Sequence, residues 1–368
     1  MKEVKKAQRL NELIGYPSRV DMEAMLNNNL IKDCPVTPSD YRRAVDIYGV
    51  DLESVRGKTA RVRPGHVRMD VITPLPDSIL DLYVSVTLCA DIFYVNGDMC
   101  LGTVSRRITF VTATYMDSRK YKVLLPVLIK VIILYRYRGF KVEFILTDDE
   151  FSGMSVNLLE KGVLLNGSSA NEHVPEIERM IRTIKERQRE KVNTLPYNIS
   201  KYPKVMRIQA VLQSILRLNM FPKKNGVSDT LSPHCIFRDR SVDYKIHCRV
   251  TFGAYCQVND EPRRLNSSVA RATGAIALGP SGNLQGGYHF MSLKTSMKLS
   301  RRHWTELPMT TEVISTVETL EEKEKGEKES APKDGVCFAD RNGKVVEEIF
   351  EETPDPVIYS DEEEEGYV

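Results

Sequence analysis

The chain of 368 residues has little cysteine, little histidine and no long hydrophobic run. Its seven cysteines are odd in number and scattered. That excludes a disulfide framework as the organising principle and fits a reducing compartment. The longest apolar run, Val123 to Tyr135, is interrupted by Lys130. It is too short to cross a bilayer, so no transmembrane helix is expected. The opening MKEVKK leads into polar residues, and no secretory signal is expected. What remains is an ordinary globular composition, 42% hydrophobic and 28% charged, which excludes wholesale disorder and a fibrous fold. The length suits two or three domains.

Net charge is also scarce, at +2, but it is unevenly spread. Residues 311–368 carry 19 acidic and 6 basic side chains, leaving 46 basic against 31 acidic in residues 1–310. A folded part at net +15 attracts polyanions. A merely solvated basic surface gives the same count, so charge alone does not decide for nucleic acid.

Four stretches differ in pattern. Residues 1–76 read as helices and a basic segment. Ser39-Asp40 resembles an N-cap for Tyr41 to Tyr48, which stops at Gly49. Arg56-Gly57-Lys58-Thr59 opens an extended basic run to Arg68, and Pro74 and Pro76 mark a boundary. Residues 77–244 alternate strands and helices. Val84 to Tyr94 is a strand ending at the hairpin signal Asn96-Gly97, and Met99 to Tyr115 holds two more strands around Ser105-Arg106-Arg107. Tyr121 to Tyr137 is apolar on most faces and predicts a buried helix. Lys141 to Thr147 and Val156 to Leu165 read as strands, and Pro175 to Val192 and Val205 to Leu218 as helices. The mixed order predicts an α/β sheet covered on both faces. Residues 245–310 form short strands divided by glycine, a small β-rich module. From about Thr311 the chain is highly charged and poor in apolar residues, which predicts a linker or disordered tail. Within it Gly335 to Phe350 can pair through an Asn-Gly turn.

Three carboxylates sit where solvated charge is not expected. Asp91 lies inside a strand, Asp148 closes the strand ending FILT, and Glu178 follows Ile177 in a helix. If the two strands are neighbours, Asp91 and Asp148 meet at one sheet edge and the helix adds Glu178. Such a cluster persists only with a shared proton or a divalent cation, and all-oxygen ligands favour Mg²⁺ or Mn²⁺. Arg182, Lys185 and Arg189 follow Glu178 on one helical face, with Arg179 beside them. That stripe suits phosphates, and it equally suits a helix laced with ion pairs to Glu176, Glu186 and Glu190. His234, Cys235, His247, Cys248 and Cys256 suggest zinc, but adjacent His-Cys pairs on a strand diverge, so zinc is not expected there.

Several segments resemble the integrase of copia-type LTR retrotransposon polyproteins. They are VTLCADIFYVNG (86–97), SRRITFVTA (105–113), TDDEF (147–151), EHVPEIERMIRTIKERQR (172–189) and LNMFPKKNGVSDTLSP (218–233). DYKIHCRVTFGAYCQV (243–258), GYHFMSLKT (287–295) and LSRRHWTELP (299–308) continue in family order. The resemblance implies a ribonuclease H-like catalytic core with an Asp-Asp-Glu triad holding Mg²⁺ or Mn²⁺. Residue by residue the triad falls on Asp91, Asp148 and Glu178. It also implies DNA as partner, a homo-oligomer, no membrane, and work in the nucleus after cytoplasmic synthesis. The family's glycine pair after the second Asp is missing here, which leaves Asp149 as an alternative to Asp148, and only 29 residues separate Asp148 from Glu178. LIGYPS (13–18) looks like the family's zinc segment, but Tyr16 replaces its His and only Cys34 stands as a ligand, so that zinc site is expected to be lost. No protease signature or reverse-transcriptase Tyr-x-Asp-Asp is present. Two rival readings are an inactive nucleic-acid-binding remnant and an interaction scaffold whose acidic tail covers the basic core.

Overall fold

The structure is a computed structural model. It describes residues 2–59, 75–168, 174–198, 202–223, 226–238, 241–260, 270–283, 285–330, 338–339 and 345–346.

Three helices open the chain: α1 (Lys2–Leu13), α2 (Arg19–Asn27) and α3 (Pro38–Tyr48). They bury Val4, Ala7, Met22, Leu26, Tyr41 and Ala44 against one another. The start of α3 is set by a capping box. The Thr37 hydroxyl accepts from the Asp40 N–H, and the Asp40 carboxylate accepts from the Thr37 N–H. Pro38 takes the first helical position, and Gly49 ends the helix at φ 74°. The cap is therefore Thr37, not Ser39-Asp40, because Asp40 is the reciprocal partner inside the first turn. A second difference lies in α4 (Leu52–Lys58), capped by Asp51, which takes in Arg56, Gly57 and Lys58. The basic run does not open as an extended strand there, and its remainder falls outside the described residues.

After α5 (Asp77–Tyr83) comes the main sheet: β1 (Ser85–Val95), β2 (Asp98–Ser105), β3 (Val111–Met116), β4 (Lys141–Asp148) and β5 (Leu164–Ser168), in the order β3-β2-β1-β4-β5. β1 to β3 run antiparallel, while β4 pairs parallel with β1 and β5 parallel with β4. Asn96 and Gly97, at φ 50° and 83°, form the two-residue turn between β1 and β2. The parallel step from β3 to β4 is made through α6 (Tyr121–Tyr137), which ends at Gly139 with φ 86°. Residues 156–165 are not one strand. They form α7 (Ser155–Leu159), a turn with Gly162 at φ 71°, and then β5. Leu158 is buried from the helix rather than from the sheet.

Strand alternation sorts the apolar side chains to two faces. Leu88, Ala90 and Leu101 pack with Leu128, Ile132 and Tyr135 of α6. Cys89, Phe93, Cys100 and Val104 pack with α8 (Pro175–Asn193) through Ile177, Ile181 and Ile184, and with α9 (Lys204–Asn219) through Val211, Ile215 and Leu218. α6 is not wholly buried: Ile133 and Tyr137 are 55% and 68% exposed. A five-stranded mixed sheet in this order, with helices on both faces, is the ribonuclease H-like core that the resemblance implies.

After the short helices α10 (Pro233–Arg238) and α11 (Tyr244–His247) comes a second sheet. It holds β6 (Tyr255–Asn259), β7 (Ala272–Pro280), β8 (Tyr288–Ser292), β9 (Lys298–Arg301) and β10 (Trp304–Glu306), all antiparallel in the order β10-β6-β7-β8-β9. Tyr255, Ile276 and Met291 share a core with Met206 and Ala210 of α9. The expected tail starts differently. α12 (Thr311–Ser330) places Val313, Val317 and Leu320 in that same core, at helical spacing. Its Glu321 meets Arg207 of α9 at 3.8 Å. Thr311 is therefore not where order ends: Val313, Val317 and Leu320, with Ile314 packed beside them, dock an otherwise charged helix. One compact unit runs over Met1–Glu322. In the second unit, Lys323–Val368, β11 (Phe338–Ala339) pairs antiparallel with β12 (Val345–Val346), flanking the Asn-Gly pair.

Candidate active site

The register of β1 on β4 pairs Leu88 with Ile145 and Cys89 with Leu146. Two residues further along each strand lie Asp91 and Asp148. Asp91 has the parity of Cys89 and Phe93, and Asp148 that of Leu146. These are residues of the face covered by α8 and α9. The sheet thus places both aspartates at one level, on one face, next to one another. Asp148 is the last residue of β4, and its side chain makes no cap to the turn that follows. A capping role does not explain this carboxylate.

α8 brings the third group. The hydrophobic stripe Ile177, Ile181, Ile184, Gln188 and Val192 faces inward. At the helix start Glu176 accepts from Arg106 Nε at 2.8 Å, pinning the first turn beside the end of β2. Glu178 stands next to buried Ile177, and α8 packs on β1 and β2.

Electrostatics shows that these groups sense one another. The Asp91 carboxyl is pushed up to about 6. Burial is the main cause, followed by the negative charge of Asp148 and, more weakly, of Glu150 and Glu178. A backbone hydrogen bond from Ile92 offsets only part of this. Three carboxylates therefore bear on Asp91, and two of them are those expected from the sequence. Asp149 is not among them. It opens the short 3₁₀ helix Asp149–Met154. Glu150 was not singled out by any sequence pattern. Its signal was its position two residues after Asp148, masked by the run of acids around it. Its Oε1 accepts from Arg119 Nη1 at 2.6 Å.

The basic residues fall where helical spacing puts them. Glu178, Arg182, Lys185 and Arg189 form a stripe rotated by about a quarter turn from the buried one. Glu178, Arg182 and Arg189 are exposed and Lys185 is half-buried. Arg179 is exposed on the flank. Arg187, further round, pairs with Glu190 at 3.1 Å. Glu178 and the basic stripe thus share one helix.

Asp91, Asp148 and Glu178 offer only oxygen, a set that suits a hard divalent cation. The elevation of Asp91 follows first from its burial and second from the charge of Asp148. Among the described residues no group of three or more His, Cys, Asp or Glu side chains is arranged to hold a metal ion. The five zinc candidates lie on short helices and a strand rather than on one strand. His234 and Cys235 are on α10, His247 ends α11, Cys248 caps it, and Cys256 is buried in β6. The His234 and His247 rings meet edge to face at 5.5 Å. Burial, with His247 and Arg238 nearby, pushes His234 down to about 4, which keeps it neutral in the core. In the N-terminal unit the Cys34 thiol donates to the Val36 carbonyl at 3.6 Å.

No family model and no curated protein matches the chain. Among solved structures it is similar to the HTLV-2 integrase catalytic core domain in complex with magnesium (trimeric form). That match has 13% identity and a TM-score of 0.33, over 42% of this chain and 98% of that one. It is also similar to the catalytic core domain of BIV integrase, at 15% identity and a TM-score of 0.29, over 41% of this chain and 92% of that one. Likeness at this level carries no argument for this chain. No described helix is long and apolar enough to cross a membrane.

Proposed function

We propose that the chain is the integrase module of a copia-type retroelement, a polynucleotidyl transferase that trims element 3′ ends and joins them to target DNA. The observation that carries this reading is the register that sets Asp91 and Asp148 side by side on adjacent parallel strands, on the sheet face where α8 packs with Glu178 and its basic stripe. Asp91 and Asp148 would hold Mg²⁺ or Mn²⁺, and Glu178 would complete the ligand set. When bound, the cation lowers the pKa of an attacking oxygen and stabilises a leaving one. The chain's own part is geometric and electrostatic. Two rigid strands fix the aspartates, and α8 carries Glu178 and the cations Arg182, Lys185 and Arg189 along the DNA backbone, with Arg179 at the flank. In trimming, water adds to a phosphorus and the 3′-oxygen of the element end leaves with a proton. In joining, that 3′-hydroxyl adds to a target phosphorus and a target 3′-oxygen leaves. The balance needs no further reactant. DNA, further copies of the chain and a nuclear site of action belong to the same reading.

Glu178→Gln is expected to abolish Mn²⁺-dependent strand transfer with an unchanged circular dichroism spectrum. Undiminished activity would reject the triad. A second reading, an inactive DNA-binding remnant, is favoured by the lack of a ready-made metal group among the described residues. Metal-dependent cleavage of DNA ends by the unaltered chain separates the two.

A further inference from the structure

A cavity of about 270 Å³ opens where β1 begins, at the end of the strand away from its turn into β2. Its walls include Tyr83, Val86, Thr87, Arg106, Arg107 and Ile108, and no carboxylate lines it. The two arginines sit on the turn after β2, and that turn is firmly held. Ile108 is buried in the core. The Ser105 hydroxyl accepts from the Phe110 N–H at 3.2 Å, and the Thr109 N–H donates to the Ser105 carbonyl at 2.9 Å. Thr109 takes φ 56°, which a β-branched residue rarely adopts. Such backbone persists where the surroundings impose it, and it concentrates at functional sites. Arg106 is fixed twice: its N–H donates to the Thr87 carbonyl at 3.1 Å and its Nε to Glu176 at 2.8 Å. Arg107 is exposed, and its side chain has no ion pair or hydrogen bond among the described residues. The β1–β4 register shifts between Val86 and Thr87, in the wall of the same cavity. Such irregularities re-aim side chains next to sites.

A guanidinium without a carboxylate, beside a second one held in place, suits a phosphate, whose oxygens match the planar fork. Tyr83 and Thr87 bring hydroxyl groups to the same walls. The volume lies just below the roughly 300–1,000 Å³ of ordinary ligand pockets, which fits a small group rather than a whole ligand. Placement also bears on the occupant. Thr87 precedes Asp91 by four residues on β1, which is about 13 Å at the rise of a strand. Stacked nucleotides cover that length in about four steps. Glu176, the anchor of Arg106, stands two residues before Glu178 on α8. A strand lying across Asp91 and the start of α8 reaches the cavity with a neighbouring phosphate.

We propose that this cavity is a phosphate site that holds a nucleic-acid strand about four nucleotides from the carboxylates, with Arg107 as the binding cation and Arg106 as its fixed neighbour. The inference rests on the function proposed above for its class of ligand, and it requires no metal ion.

The test measures binding of a short labelled single strand to the full chain by fluorescence anisotropy, in EDTA and over a range of salt. Arg107→Gln weakens binding by roughly tenfold and makes the salt slope shallower by about 0.7. Arg107→Lys keeps the slope but loses part of the affinity, because an ammonium does not reproduce the fork. Lys32→Gln removes an exposed charge outside the cavity and changes affinity far less. Equal losses in Arg107→Gln and Lys32→Gln, or full affinity in Arg107→Lys, reduce Arg107 to surface charge and overturn the inference. Displacement of the strand by micromolar inorganic phosphate at fixed ionic strength assigns the cavity to the free ion and overturns it too. If the unaltered chain binds no strand, this inference and the proposed function fall together. If the unaltered chain and Arg107→Gln bind alike, this inference alone falls.

Discussion

Asp91 and Asp148 stand at one level on adjacent parallel strands, each two residues past the paired Cys89 and Leu146. Burial of Asp91 and, second to it, the charge of Asp148 make the ionised carboxylate costly, and the sign of that cost can be worked out. The folded Asp91 carboxyl is raised to about 6 from an ordinary 3.8. The folded chain therefore binds more proton than the unfolded chain between these values, and stability falls as pH rises through them. Asp91→Asn removes the effect. In EDTA at pH 7.5 the variant is expected to melt a few degrees above the unaltered chain, and at pH 4 the two should coincide. Thermal unfolding followed by circular dichroism reads this directly. A variant destabilised at pH 7.5 would contradict it.

A second expectation concerns the edge of the main sheet. Asn219 at the end of α9 accepts from the Val111 N–H at 2.9 Å and donates to the Val111 carbonyl at 2.8 Å. β3 is an edge strand, so this buried amide supplies pairing that a neighbouring strand would otherwise give. Asn219→Ala leaves two backbone groups without partners and should cost about 2–4 kcal/mol. The shift in urea midpoint measures it.

Arg207 supports the docking of α12. Its Nε meets Asp98 at 2.7 Å, its Nη1 donates to the Tyr202 carbonyl at 2.9 Å, and Glu321 lies 3.8 Å away. All three charged side chains are largely buried. Arg207→Met takes the buried partner from the Asp98 carboxylate and is expected to cost about 3–5 kcal/mol, again read by urea unfolding. Truncation at residue 310 should destabilise the chain as well, since it removes Val317 and Leu320 from their core. A truncated chain as stable as the full one would contradict the structural role of α12.

The basic stripe makes a salt-dependent prediction. Replacing Arg182, Lys185 and Arg189 together by Gln should weaken DNA binding irrespective of sequence. The slope of log affinity against log salt should become shallower by roughly 0.9 for each phosphate the variant no longer neutralises. Fluorescence anisotropy with two unrelated duplexes tests both parts.

The parts of this fold most legible in the sequence are those where period and punctuation agree. Tyr121 to Tyr137 is bounded by Gly139, and Val84 to Tyr94 by Asn96-Gly97, and both elements form within a residue of the expected limits. Asp148 could be placed at a strand end because FILT is apolar without interruption. Local ambiguity defeats the reading elsewhere. Residues 156–165 contain a helical turn and a strand too short for either period to show. α12 is mostly charged, and its three anchoring residues become visible only against α9 and the second sheet. Glu150 and Arg119 were hidden for a different reason. Their relationship spans 31 residues and depends on a strand order that no local pattern encodes.

The most direct test of the account is the anomalous scattering of a crystal soaked in Mn²⁺. The account predicts a peak bounded by the carboxylates of Asp91, Asp148 and Glu178. No peak there at millimolar Mn²⁺, or a peak that excludes Glu178, would contradict it.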